Sequence, residues 1–122
     1  MVNDFSIKRN DTLPNLSLRI TSKGKLGEKI PMDLSNFYNN TGNTRCSFSM
    51  IDSCGNYKIN QNNAEFICVT GGTIQYVFKQ EDTDEAGKFK GEFKLQSIDG
   101  SIMSVPSIGF INIEIYPDIS NK

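Results

Sequence analysis

Chemistry in a protein needs side chains that attack, move protons or hold a metal, and this 122-residue sequence lacks the most versatile of them, histidine. Its absence removes the usual general base, the commonest metal ligand and the Ser–His and Cys–His nucleophile pairs. Cys46, Cys54 and Cys68 are odd in number and form no C-x-x-C pair, so no disulfide framework is expected. No glycine-rich phosphate loop is present, and no motif positions a serine–lysine dyad or a carboxylate pair. The expectation is a protein without catalysis, cofactor or metal.

Three polar or aromatic groupings remain as candidates. Glu81, Asp82, Asp84 and Glu85 form the densest carboxylate cluster, a donor set that hard cations favour, but its spacing is not that of the twelve-residue calcium loop. The competing reading is at most one short helix near residues 81–86, whose acidic start suits the unpaired N–H groups and macrodipole of a helix N-terminus, with Gly87 as its stop. Lys88, Lys90 and Lys94 form a basic stripe interrupted by Glu92, which reads as the solvated side of a strand. Phe37 and Tyr38 lie in the polar stretch 36–43 and are the candidate interaction residues, since exposed aromatics are enriched in interfaces. The alternative for these rings is that they fold back under the loop and cap the core.

The elements that would carry these groups are strands. Apolar residues recur at every second position in Leu16-Leu18-Ile20, Cys46-Phe48-Met50, Ile74-Tyr76-Phe78, Phe89-Gly91-Phe93-Leu95 and Ile111-Ile113-Ile115, the spacing that lines one face of a strand. Phe5 and Ile7 fit a first strand, and either Phe66 with Cys68 or Ile67 with Val69 fits a less decisive one. Turn residues separate these runs at Ser53–Asn56, Gly71-Gly72 and Asp99-Gly100, the last joining the strand that ends near Leu95 to one around Ile102 to Val105, and consecutive hairpins imply antiparallel pairing. Lys23, Lys25 and Lys29 lie with Gly24 and Gly27 in a further hairpin loop, and Asn60 to Asn63 reads as surface loop. No run of ten residues keeps a helical period. About seven to nine short strands, each with one apolar face, must bury that face against a second sheet, so an all-β sandwich over residues 1–122 as one domain is expected, with a barrel as the alternative closure.

Thirteen basic residues against fourteen acidic ones recommend neither nucleic acid nor a membrane surface as partner. The first ten residues lack a continuous apolar stretch, so no export signal is expected.

The order Asp11-Thr12-Leu13-Pro14, Asp33-Leu34-Ser35, Phe48-Ser49-Met50, Thr73 to Phe78, Asp82-Thr83 with Ala86-Gly87, and Asp99-Gly100 with Val105-Pro106 resembles the N-terminal domain family of phage upper baseplate proteins. The resemblance runs from about Ile7 to Ile115, strongest from Ile74 onward. It implies an antiparallel immunoglobulin-like β-sandwich with a short helix, used as a structural protein of a bacteriophage virion. The implied place is the baseplate or tail; a head decoration, a fibre anchor, or a module for a glycan or host protein are the alternatives. The implied partners are other virion proteins in a symmetric assembly, and the implied location is the virion after synthesis in the host cytoplasm. Two departures are that the 36–43 stretch looks longer than in that family and that no receptor-binding arm follows the last strand. Glu85-Ala86-Gly87-Lys88-Phe89-Lys90-Gly91 is also similar to the immunoglobulin corner Asp-x-Gly-x-Tyr-x-Cys, with Phe89 at the tyrosine and Gly91 at the cysteine position.

Overall fold

The computed structural model describes residues 3–23, 26–27, 29–37, 45–106 and 109–119. Within them the chain is all-β, with strands β1 (Asn3–Lys8), β2 (Leu16–Arg19), β3 (Thr21–Lys23), β4 (Lys29–Pro31), β5 (Arg45–Asp52), β6 (Tyr57–Asn63), β7 (Glu65–Cys68), β8 (Thr73–Tyr76), β9 (Gly87–Gln96), β10 (Ile102–Val105) and β11 (Ile111–Tyr116). The large sheet has the order β1-β11-β9-β5-β6, with β10 also paired to β9. A three-stranded sheet, β2-β8-β7, faces it, and β3 and β4 form a separate hairpin.

Alternation explains the layering. Cys46, Phe48 and Met50 on β5, Phe89, Phe93 and Leu95 on β9, and Ile111, Ile113 and Ile115 on β11 are all buried, while Lys88, Lys90 and Lys94 point the other way into solvent. Leu16, Ile74 and Tyr76 supply the inner side of the smaller sheet. An aromatic cluster joins the layers: the Phe48 ring lies 4.8 Å from Tyr76, 4.9 Å from Phe93 and 6.3 Å from Phe78, centroid to centroid. Rings at these separations add attraction beyond the area they bury.

The hairpins form where turn chemistry places them. Asp99-Gly100 closes β9 onto β10, with the Gly100 N–H donating to the Ser97 carbonyl at 3.0 Å. Gly72 has φ +71°, and a Cβ there would come within 2.5 Å of the Ile20 carbonyl oxygen, so both conformation and close packing demand glycine. β10 and β11 lie along the same side of β9, β10 opposite Phe93 to Gln96 and β11 opposite Gly87 to Gly91.

The all-β sandwich is as expected, and four of its details differ. Residues 81–86 form no α-helix; a single 3-10 turn covers Gln80–Asp82, because Asp82 turns inward instead of extending an acidic helix start. The polar run Asn60 to Asn63 is not a loop but the second half of the edge strand β6. β1 pairs with β11 in parallel, joining the two ends of the chain in a sheet that is otherwise antiparallel. The strands number eleven among the described residues, against seven to nine expected, because the pieces β3 and β4 are too short to show alternation; β10 lies where a strand was expected, from Ile102 to Val105.

Candidate docking face

The candidate pair separates on inspection. Phe37 sits in a 3-10 turn (Ser35–Phe37) and is half-buried against the core, so the core-capping reading holds for it. Its N–H donates to the Leu34 carbonyl at 2.9 Å, which bends the chain so that the ring turns inward. Tyr38 lies outside the described residues.

The acidic cluster does not converge. Asp82 is buried and accepts hydrogen bonds from the Tyr76 hydroxyl at 2.7 Å and the Lys79 N–H at 2.9 Å. The Tyr76 hydroxyl also accepts from Asn62 Nδ2 at 3.1 Å. Burial first, then the bond to Asp82, hold this phenol well above its usual value. Asp84 instead pairs with Lys58 across the surface. Among the described residues no three His, Cys, Asp or Glu side chains come together as a metal centre requires.

What the structure does build is a groove of about 910 Å³ on the outer side of the large sheet. Its floor is set by register. One row across the strands reads Ile51, Lys90, Asn112, Asp4, and the next reads Lys88, Glu114, Ser6. The wall is the β5–β6 turn, Ser53 to Gly55. That turn is rigid because the Asp52 carboxylate accepts the N–H groups of Cys54 and Asn56, both at 2.9 Å. Tyr116 closes one end, and the Glu114 charge beside it, with a hydrogen bond to the same carboxylate, raises its phenol pKa.

A smaller hollow of about 190 Å³ shares Ile51 and Lys90 with the groove and continues it toward Tyr57 and Phe110. The Lys90 ammonium stands 5.7 Å from the centre of the Phe110 ring, a cation–π distance. Phe110, Tyr57 and Tyr116 are all substantially exposed. The trough thus has aromatic side chains along its length and charged groups on its floor. The division of charge is spatial: Asp4 and Glu114 lie on the β1–β11 side, Lys88 and Lys90 on β9. Among the described residues none of the four is within 4.0 Å of an opposite charge. Asp4 accepts only a hydrogen bond from Asn112 Nδ2, at 3.2 Å.

Lys88 and Lys90 lie on the exposed, solvated face of β9 as expected, and the structure adds the groove beside them. The missing signal is non-local, since the carboxylates that border the lysines come from β1 and β11, and only the parallel pairing of the chain's two ends brings Asp4 beside Asn112. Phe110 and Tyr116, aromatic on either side of an alternating strand, were the one local hint.

No protein-family model matches the sequence, and no curated protein is similar to it. Among solved structures the chain is similar to the crystal structure of CopC from Methylosinus trichosporium OB3b, with a TM-score of 0.55 and 14% identity, over 98% of this chain and 90% of that one. At that identity the likeness speaks for the fold, and the fold is the immunoglobulin-like β-sandwich expected. It also corrects the functional expectation: a solved protein that shares this architecture over nearly the whole chain is CopC, nothing found points to a baseplate component, and the assignment as a phage virion structural protein is withdrawn.

Proposed function

We propose that this protein is a non-catalytic binding module that takes a polypeptide segment in the trough on the outer face of its large sheet. The observation that carries this reading is the groove itself, about 910 Å³ in volume and floored by paired strands whose register sets the order of the side chains. Recognition sites of this kind combine a preformed hollow with a few fixed polar groups. Here the fixed groups are Lys88, Lys90, Asp4 and Glu114, and the apolar contact comes from Ile51, Phe110 and Tyr116. The sequence has no histidine and no motif that positions a nucleophile–base pair, which speaks against turnover of whatever is held.

The test is photo-crosslinking in cells that make the protein. A benzophenone amino acid at Ser6 or Lys90 is expected to give polypeptide adducts of defined mass. The same group at Ser17 or Thr73, on the outer side of the smaller sheet, is expected to give none. Equal labelling from the two faces, or none from the groove, contradicts the proposal.

A further inference from the structure

The charge pattern of the groove specifies its occupant further, and the inference rests on the reading just given. We infer that the bound segment carries one basic and one acidic side chain two or three residues apart and lies across the strands, its cation over Asp4 and Glu114 and its anion over Lys88 and Lys90.

Three observations converge on this. The first is separation: β9 and β11 are adjacent and β1 lies beyond β11, so the two signs are divided along the direction perpendicular to the strands. Strands are about 4.8 Å apart, which sets the two charge centres roughly 5–10 Å from one another. An extended chain advances at most about 3.3–3.6 Å per residue, so two or three residues cover that distance. The second is availability. Lys88 and Glu114 stand directly opposite each other in register without an ion contact, Glu114 taking a hydrogen bond from the Tyr116 hydroxyl, and the Lys90 ammonium stands over the Phe110 ring. The other carboxylates of the trough are Asp52, already engaged by the N–H groups of its own turn, and Glu92, which lies with Lys94 in the smaller hollow beyond Lys90. The third is shape: the continuation of the groove past Ile51 and Lys90 toward Tyr57 leaves it open at an end. That suits a chain passing through better than an enclosed small zwitterion.

The experiment uses fluorescent heptapeptides, acetylated and amidated at their ends, glycine except for one lysine and one glutamate at spacings of one to five, read by anisotropy. Binding is expected to be strongest at spacings of two and three, and at least fivefold weaker for peptides carrying only lysines or only glutamates. It should fall several-fold as salt rises from 0.05 to 0.5 M, because the exposed contacts lie within the roughly 10 Å screening length at 0.1 M. The decisive variant is Asp4→Lys with Glu114→Lys, both surface positions, which makes the groove uniformly basic. It is expected to lose the lysine–glutamate peptide and gain the one with two glutamates, a change of preference that a general loss of folding does not produce. Free trialanine separates terminal charges from side-chain charges; its binding while the blocked peptides fail overturns the inference. Indifference to charge spacing, or an unchanged preference in the double variant, overturns it as well. Adducts from Ser6 and Lys90 in the crosslinking experiment leave the function proposed above standing in either case.

Discussion

Replacing Gly91 by alanine places one methyl group where the core has no room for it. Gly91 sits in the middle of β9 with its open side facing inward, and a Cβ there would approach the Phe48 ring at 2.7 and 2.9 Å and the Ile113 Cδ1 at 2.8 Å. Carbon atoms pack at about 3.5–4.0 Å, so the ring or the methyl must retreat by nearly 1 Å. Ile113 can yield by a rotamer change, but the Phe48 ring is held between Tyr76 and Phe93, at 4.8 and 4.9 Å. Overpacking of this kind costs about 1–3 kcal/mol. Against it stands the roughly 0.5–1 kcal/mol by which alanine is favoured over glycine in a strand interior. The net expectation is a loss of about 1–2 kcal/mol, or a Tm lower by about 4–8 °C for a domain of this size, measured by calorimetry and urea unfolding. Trimming the ring in the same chain, Phe48→Leu, should relieve the clash, so that the double variant loses about 1 kcal/mol less than the sum of the two single losses. A Gly91→Ala protein as stable as the parent, or more so, refutes the claim that this glycine is there for close packing.

Other substitutions test the face assignments and the polar interior. Phe93 is fully buried, so Phe93→Ala should cost about 3–5 kcal/mol, whereas Lys94→Ala on the opposite side should change urea stability by less than about 0.5 kcal/mol; equal effects contradict the layering. Tyr76→Phe strips the buried Asp82 of its hydroxyl donor and should cost about 1–3 kcal/mol, with retained stability showing that the bond is not needed. Burial pushes the Cys46 thiol from 9.0 up to about 12, and the Tyr76 phenol is raised as well. Both are acids kept neutral by the fold, so their contribution is complete below their unfolded values and is lost as the pH climbs through the interval up to the folded ones. Between pH 8 and pH 10.5 the protein should therefore lose about 2 kcal/mol through Cys46 alone. Cys46→Ala should shrink that loss, and a pH-independent urea midpoint in the parent contradicts it.

Much of the fold was legible because alternation is a direct imprint of a half-buried sheet. The runs through Phe48, Tyr76, Phe93 and Ile113 all face inward, and Asp99-Gly100 makes its hairpin. What escaped had physical causes. Asn60 to Asn63 form an edge strand with little apolar signal, because an edge has water on its open side as well as above it. The carboxylates at 81–85 suggested a helix start, but tertiary contacts overrode that local preference: Asp82 is drawn in by Tyr76, and Asp84 is drawn out to Lys58. Phe37 looked available because composition alone does not say which ring turns under. The groove was the least legible part, since a lysine on a strand looks the same whether its neighbours are water or the carboxylates of two strands far away in sequence. The glycine in the cysteine position of the immunoglobulin-like corner was noticed for what it lacks, while the structure gives its positive reason, the Phe48 ring that fills the space.

The most direct test of the central claim is the reactivity of individual lysines towards a small acylating reagent in intact cells that make the protein, compared with the purified protein alone. An occupied groove should protect Lys88 and Lys90 several-fold in cells and leave Lys79, exposed beside the 3-10 turn away from the groove, equally reactive in both settings. Equal reactivity of all three lysines in cells and in isolation would contradict the account.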